Sequence, residues 1–307
     1  MIFQFLSDSE GNTSNKVRVF QWNMLAQAIG SKLDNFRLSD PRVLDWSSRR
    51  WRVLEEILLH HPDVICLQEV DHFSFIHSAL KSVGYSGRLV IQIFLSQSFK
   101  IFFYRFMPKP DSACKYVQNN NGPDGVAIFI RSSKFQIIKE DRKVLQAWGS
   151  PTNQIALSLT LQNIDTGKQF SVITTHLKAR KGALLENIRD QQGADLMKWI
   201  KDTNDTESII VTGDFNAEPT ESVIKTVTQD SSLQLHSSYS IPETEFTTWK
   251  IRDSGEEKHV LDYIFHTRDL QTSSTLDMPS DDDVGVSRLP SLTYASDHVS
   301  LVSDILI

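Results

Sequence analysis

Short apolar runs recur along this chain, and several of them end in a polar side chain. The run 209–212 ends at Gly213, which predicts a buried strand followed by a turn. Asp214 and Asn216 come next, two positions apart. Alternate residues of an extended segment point the same way, so this strand end would present a carboxylate and an amide together. Mg²⁺ favours such oxygen ligands, although an Asx turn would explain the same residues without any ligand.

Other segments have the alternating or continuous apolar pattern that is typical of strands. The segments 154–161 and 170–175 flank an Asp-Thr-Gly turn and therefore predict a hairpin. Further strands are predicted at 17–22, 63–70, 126–130, 260–265 and 299–305, and an extended segment at 247–252.

Apolar residues at helical spacing predict helices between these strands. The segment 46–60 is followed by a proline, and the segment 73–83 is stopped by a glycine. An apolar stripe over 184–200 predicts a third helix, which leads into the strand at 209. A short helix is expected after Pro219.

The composition permits a large core and excludes several classes of protein. The chain has 307 residues, 40% of them hydrophobic, and shows no linker, internal repeat or low-complexity tract. Its net charge of -6 gives no general attraction to nucleic acid or membrane. Cys66 and Cys114 are the two cysteines, too few for a disulfide framework or a metal cluster. The first residues lack the pattern of a signal or transit peptide.

Chemically active residues follow several predicted strands. Asn23 ends the first strand, Glu69 ends the second, and His176 ends the hairpin and is followed by Lys178 and Arg180. Because α/β sites form at the carboxyl ends of strands, these residues are candidates for one shared site. Each also has a simpler interpretation. Asn23 could cap a turn, Glu69 could be a surface residue, and His176 with its two cations could be a solvated charge cluster.

A second candidate feature is a carboxylate inside an apolar strand. Asp262 interrupts the run 260–265, and a buried carboxylate is costly unless it has a partner. His298 follows Asp297 just before the last strand and is the natural candidate partner. An Asp that fixes the orientation and tautomer of a His is a recurring catalytic device.

Taken in order, these motifs resemble the endonuclease/exonuclease/phosphatase superfamily of Mg²⁺-dependent phosphoesterases. The resemblance extends from Val17 to the end of the chain. It implies the DNase I-like fold, a four-layered α/β sandwich in which two mixed β-sheets lie face to face with helices outside. It implies one catalytic domain at 16–307, after a flexible N-terminus at 1–15. The motifs are Asn23, Gln68-Glu69, His176, Gly213-Asp214-Phe215-Asn216, Asp262 and Asp297-His298.

The resemblance also implies roles. Mg²⁺ would be bound by Glu69, with Asn23 and Asp297 beside it. Asp214 would position or activate the attacking water. Phosphoryl oxygens would be held by Asn216 and His176, and His298, oriented by Asp262, would stabilise the developing charge. The implied substrate-binding residues are Lys109, Asn121, Lys178, Arg180, Lys250 and Arg252.

Within the superfamily, the motifs are most similar to a branch related to the poly(A) deadenylases. This branch implies a 2'-phosphatase that converts NADP⁺ and NADPH to NAD⁺ and NADH. The first alternative is a poly(A)-specific 3' exonuclease, because the same cations can line an RNA path. The second is an inactive RNA-binding or scaffold protein, against which the intact ligand and His positions argue. The motifs lie at 21–27, 66–72, 120–125, 175–180, 213–219 and 247–252.

The chain departs from the pattern at two places. Leu25 stands where many members have an acidic residue, which argues against a second metal site on that side. The apolar segment 88–105 is interpreted as an insertion, and its polar middle argues against a membrane helix. Its Phe, Ser, Leu and Ile content fits a translated intron, a hypothesis that sequencing of the mature transcript tests.

The expected partners and location follow from the same observations. NADP⁺ or NADPH is the expected substrate, RNA is the alternative, and no membrane partner is expected. A monomer is expected in the cytoplasm, and a longer isoform with a presequence would reach the mitochondrion. The resemblance also implies a link to circadian control.

Overall fold

The apolar runs assemble into two large mixed β-sheets. The computed structural model describes residues 15–30, 36–86, 106–108, 124–240 and 245–307. The expected flexible N-terminus, except for Asn15, and the expected insertion at 88–105 lie outside these residues.

The first sheet has seven strands, and its central pair is parallel. Its strands are β1 (Lys16–Asn23), β2 (Val64–Val70), β3 (Tyr85–Ser86), β4 (Phe106–Pro108), β5 (Gly125–Arg131), β14 (Gln271–Thr275) and β15 (Leu301–Leu306). They are arranged in the order β14-β15-β1-β2-β5-β3, with β4 also paired to β5. β1 and β2 run parallel, so their carboxyl ends reach the same edge.

The second sheet has six strands and again contains one parallel pair, β8 with β9. Its strands are β6 (Phe135–Ala147), β7 (Ser150–Asn163), β8 (Gln169–His176), β9 (Ile209–Asp214), β10 (His236–Ser237) and β13 (Asp262–His266), in the order β10-β13-β9-β8-β7-β6. A separate hairpin pairs β11 (Thr248–Arg252) with β12 (Gly255–His259).

Seven helices lie in the described part of the chain, and the four longest pack against the outer faces of the sheets. They are α1 (Gln27–Gly30), α2 (Pro41–Leu44), α3 (Trp46–Leu59), α4 (Phe73–Ser82), α5 (Ala183–Thr203), α6 (Ser222–Thr228) and α7 (Asp281–Val284). In the described part of the chain, none of these helices has the length and apolar character needed to cross a bilayer.

Alternation along the strands explains the layers. In β1, Val17 and Val19 belong to a cluster shared by the two sheets, whereas Phe20 and Trp22 pack against α3 and α4. The second sheet repeats this pattern, since its outer face packs against α5 and α6. Because both faces of each sheet are buried, the central strands carry apolar residues on both faces. The predicted four-layered sandwich is confirmed.

The structure adds strands that the sequence patterns did not predict. β6 and the edge strand β14 carry many polar, half-exposed residues, so they lack the apolar pattern of a buried strand. The structure also corrects the position of Asp262, which is the first residue of β13 and not an interior one. The carboxylate therefore lies at the edge where the other strands end.

Candidate active site

The predicted site residues meet because their strand ends lie side by side. In the second sheet, His176 of β8 and Asp262 of β13 are both opposite Asp214 of β9 in register. In the first sheet, Asn23 of β1 lies opposite Gln68 of β2. The two sheet edges then face each other across the sandwich.

Hydrogen bonds join the two sheets at this edge. Gln21 Nε2 donates to Asp262 Oδ1 at 3.1 Å, and Gln68 Nε2 donates to Thr174 Oγ1 at 2.9 Å. Buried side chains of this kind stabilise a structure only when their hydrogen bonds are satisfied. The two Gln residues therefore set the spacing between the sheets where the candidate site lies.

Asp214 is at the centre of the site. Its Oδ2 accepts a hydrogen bond from Asn23 Nδ2 at 2.9 Å and lies 3.5 Å from His176 Nε2 and 3.9 Å from His298 Nε2. Its Oδ1 accepts from the backbone N–H of Asn216 at 2.8 Å. Burial and the nearby Asp262 carboxylate raise the pKa of Asp214 to about 6. A carboxylate with a pKa near neutrality can accept a proton from water.

Asp262 and His298 form the predicted pair. Asp262 Oδ2 lies 2.7 Å from His298 Nδ1, which leaves Nε2 directed towards Asp214. Burial opposes a charged ring, but the carboxylates of Asp262, Asp297 and Asp214 outweigh it and raise the pKa of His298 to about 9. The imidazole is therefore held as a cation at neutral pH.

Asp297 has a partner that the sequence patterns did not predict. Lys250 Nζ donates to Asp297 Oδ2 at 2.5 Å, and both side chains are buried. Burial alone would raise the pKa of Asp297, but the charges of Lys250 and His298 lower it to about 2. Lys250 thus joins the site by balancing Asp297. Metal binding by Asp297 and substrate binding by Lys250 both stay predictions.

Glu69 lies on the side of the site formed by the first sheet. It has a left-handed backbone, with φ 57°, and its Oε2 accepts from the N–H of Ala26 at 2.8 Å. The next N–H, that of Gln27, donates to Asp71 Oδ2 at 2.7 Å. The loop after Asn23 is thereby held against two carboxylates at the end of β2.

Residues 20–298 match the Endonuclease/Exonuclease/phosphatase family. The nocturnin of Xenopus laevis is 41% identical over 312 residues, which cover 98% of this chain and 75% of that protein. The chain belongs to the nocturnins within this family. The nocturnin of Drosophila melanogaster is 40% identical over 313 residues, which cover 94% of this chain and 46% of that protein. This chain thus spans about half of the length of that relative.

The fold of this nocturnin chain agrees with a solved relative. The human nocturnin catalytic domain with bound sulfate anion matches with a TM-score of 0.75 and 38% identity, over 95% of this chain and 93% of that one. The match confirms the fold implied by the motifs.

Two of the predicted substrate cations follow β8 in this nocturnin chain. Lys178 is half-buried and Arg180 is exposed, and neither side chain forms an ion pair within the described residues. Arg252 Nε donates to Glu257 Oε2 at 3.0 Å in the β11–β12 hairpin. Lys109 and Asn121 lie outside the described residues.

The charge balance of the site fits a bound cation. Around the site, the described residues include five buried carboxylates, against the buried cations Arg49, Lys250 and His298. An excess of buried negative charge is costly unless a cation compensates it. The oxygen donors match the preference of Mg²⁺. The carboxylates are Glu69, Asp71, Asp214, Asp262 and Asp297.

Asp214, Asp262 and His298 offer donor atoms within 4.8 Å of one another, close enough to hold a metal ion. One observation favours a hydrogen-bonded trio instead. Both Asp262 oxygens already accept hydrogen bonds, from Gln21 Nε2 and His298 Nδ1. A cation is better accommodated on the Glu69 side of Asp214.

Arg49 of α3 is an important site residue that the sequence patterns missed. Its guanidinium is fully buried and donates to the carbonyls of Met24 at 2.9 Å, Leu25 at 2.8 Å and Ala295 at 3.0 Å. It thereby ties the loop after Asn23 to the segment before Asp297. The sequence did contain one sign that Arg49 is buried. Positions 49, 53 and 57 lie on one face of the predicted helix, and the other residues of that face are apolar.

Replacing Arg49 by Met should lower the free energy of unfolding by roughly 3–5 kcal/mol, because several buried carbonyls would lose their donors. Urea unfolding measures this. Arg42→Met, at an exposed position, is the control and should change stability little. A loss for Arg49→Met as small as that of the control would contradict the structural role.

Proposed function

We propose that this chain is a Mg²⁺-dependent phosphatase that removes the 2'-phosphate of NADP⁺ and NADPH, giving NAD⁺ and NADH. The observation that carries the proposal is the position of Asp214, whose carboxylate is shared among Asn23, His176 and His298. Phosphoryl transfer depends on positioning and on neutralising negative charge that is spread over several oxygens. This group of side chains is suited to both tasks.

Glu69 would hold the Mg²⁺, with Asn23 and Asp297 as further oxygen donors. When bound, the ion supplies Lewis-acid polarisation of the phosphoryl group. Leu25 offers no carboxylate beside Asn23, so one ion is proposed on this side.

In the proposed mechanism, Asp214 orients the attacking water and accepts its proton. Its pKa of about 6 leaves it ionised at neutral pH and basic enough to act. His298 contributes a positive charge at Nε2, because Asp262 accepts the Nδ1–H hydrogen bond. His176 Nε2 lies 3.5 Å from Asp214 Oδ2, where it can hold a phosphoryl oxygen together with Asn216.

The rest of the dinucleotide would be bound by cations at the rim of the site. Lys178 and Arg180 follow directly after His176, and Arg252 projects from the hairpin whose Thr248 bridges to His298. Arginine binds phosphate in a bidentate way and lysine as a point charge. The human nocturnin catalytic domain was solved with a bound sulfate anion, which resembles a phosphoryl group in size and charge. Lys109, Asn121 and Lys250 complete the proposed set.

The competing activity is shortening of poly(A) from the 3' end, for which the same cations would bind RNA. The purified chain with Mg²⁺ should release phosphate from NADPH and NADP⁺ without shortening oligo(A). Shortening without phosphate release would replace the proposal by the exonuclease. If neither reaction occurred, the scaffold interpretation would stand.

Glu69→Gln should reduce phosphate release at least about 100-fold, since even the outer partners of metal ligands contribute about 10–100-fold. The variant keeps the size of the side chain, so the Ala26 N–H retains an acceptor. Steady-state phosphate release at increasing Mg²⁺ is the measurement. Glu55→Gln, at an exposed position of α3, is the matched control. Equal rates and equal Mg²⁺ dependence for the two variants would remove Glu69 from the metal site.

A further inference from the structure

Two polar side chains of α5 hold the backbone of the loop that follows β8. We call this loop, residues 177–180, the cation loop, because it carries Lys178 and Arg180. Its first residue is tied to β9, since the Leu177 N–H donates to the Asp214 carbonyl at 2.9 Å. Asn216 Nδ2 also donates to the Leu177 carbonyl at 3.2 Å. The start of the cation loop is therefore fixed to the catalytic strand.

Gln192 binds the loop through its amide oxygen. The side chain is fully buried, and its Oε1 accepts from the Lys178 N–H at 3.0 Å. Its Nε2 donates to Gln154 Oε1 at 2.9 Å and to Thr152 Oγ1 at 3.0 Å in β7. Gln192 thus connects the loop to the neighbouring strand.

Arg189 binds the loop from one turn earlier on the helix. Its Nη1 donates to the carbonyls of Lys178 at 3.1 Å and Arg180 at 2.8 Å. Its Nη2 donates to Glu221 Oε2 at 2.6 Å, and Glu221 Oε1 accepts from the Glu218 N–H at 3.1 Å. One buried guanidinium therefore connects the cation loop to the segment that follows Asn216.

The backbone of the cation loop needs such support. Arg180 has a left-handed conformation, with φ 82°, which is costly for a residue with a side chain. A strained residue of this kind persists only where its surroundings hold it. The hydrogen bond from Arg189 to the Arg180 carbonyl stabilises the strained residue directly.

The positions of the two side chains on α5 support a specific role. Arg189 and Gln192 lie on the buried face of the helix, together with Leu196 and Ile200. Apolar residues would pack that face without the cost of burying a charge and an amide. Arg189 and Gln192 instead lie where the neighbouring groups are the amide and the carbonyls of the cation loop.

We propose that Arg189 and Gln192 are positioning residues that set the direction of Lys178 and Arg180 towards the anionic substrate. The inference rests on the proposed function, since only that function makes Lys178 and Arg180 phosphate ligands. It predicts that loosening the loop weakens substrate binding more than it slows the chemical step at Asp214.

The test is Gln192→Met, which keeps the length of the side chain and removes its hydrogen bonds. The KM for NADPH should rise about tenfold, the effect of losing the one hydrogen bond that Gln192 makes to the cation loop, while kcat changes less than about threefold. Hydrogen exchange of the Lys178 amide should become faster, because it loses its acceptor. The amides in the middle of β8 should be unchanged.

Two further variants make the test specific. Gln191→Met is the matched control, because within the described residues the Gln191 side chain forms no hydrogen bond to the loop. Gln192→Glu keeps an acceptor for the Lys178 N–H but loses the donor to Gln154 Oε1, so its KM should lie between those of the wild type and Gln192→Met. A purely structural role would give equal losses in the Met and Glu variants without a selective change in KM.

The outcomes separate the two proposals. If the wild type released no phosphate from NADP⁺ or NADPH, the proposed function would fail and this inference with it. If the wild type were active but Gln192→Met kept its KM, or kept the exchange rate of the Lys178 amide, only the positioning role would be overturned.

Discussion

Asp214→Asn should remove NADPH phosphatase turnover while substrate binding is largely kept. The substitution preserves shape, so the Asn216 N–H retains its acceptor at the end of β9. It removes the negative charge and the basic oxygen that the proposed mechanism needs. Loss of a proton acceptor typically costs about 10²–10⁴-fold in rate, and we expect a kcat decrease in that range.

The measurement combines steady-state phosphate release in Mg²⁺ with calorimetric titration of NADP⁺ without Mg²⁺, so that the wild type does not hydrolyse the ligand. Binding should remain within a few-fold of the wild type, because charge repulsion between Asp214 and the phosphate is also relieved. Asp165→Asn, in the exposed turn between β7 and β8, is the matched control and should keep its activity. Near-normal turnover of Asp214→Asn would refute the role of Asp214 as water-positioning base.

The second large effect is expected for His298→Gln, which should lower kcat by about 10²–10⁴-fold. The wild-type ring carries a positive charge next to Asp214, because three carboxylates raise its pKa to about 9. Glutamine can still donate a hydrogen bond but cannot supply that charge. The reduction should therefore appear in the chemical step more than in the KM for NADPH.

A double-mutant comparison sharpens this prediction. Asp262→Asn removes the negative charge of the partner of His298 Nδ1, and groups that act as one unit give strongly non-additive losses. The double variant should therefore be little slower than His298→Gln alone. His236→Gln, at an exposed position of β10, is the control. Fully additive losses would show that Asp262 and His298 act independently.

The sequence contained most of the information about the sheets. The segments 17–22 and 209–212 carry apolar residues on both faces because both faces of a central strand are buried, and this pattern is local. The polar residues at the strand ends could be predicted for the same reason, because Asn23, His176 and Asp214 come at the ends of the predicted strands. The pattern failed for β6 and β14, where half-exposed strands have polar residues on both faces.

The partner of each site residue was less accessible to sequence reasoning. Asp262 and His298 were predicted as a pair because a carboxylate in an apolar run demanded an explanation. Lys250 gave no such signal, because an alternating basic segment is equally consistent with an exposed, substrate-binding cation. Only the packing of the β11–β12 hairpin against the last loop shows that Lys250 balances Asp297.

The sequence by itself determined most of the central strands and the chemically active side chains that stand at their ends, because strand periodicity and chain order are local properties. The tertiary structure decided how those ends are held together. Arg49, Arg189 and Gln192 bind loops that are close only after the helices have packed on the sheets. The role of a buried polar residue depends on the carbonyls and amides with which it forms hydrogen bonds, and those groups come from distant parts of the chain.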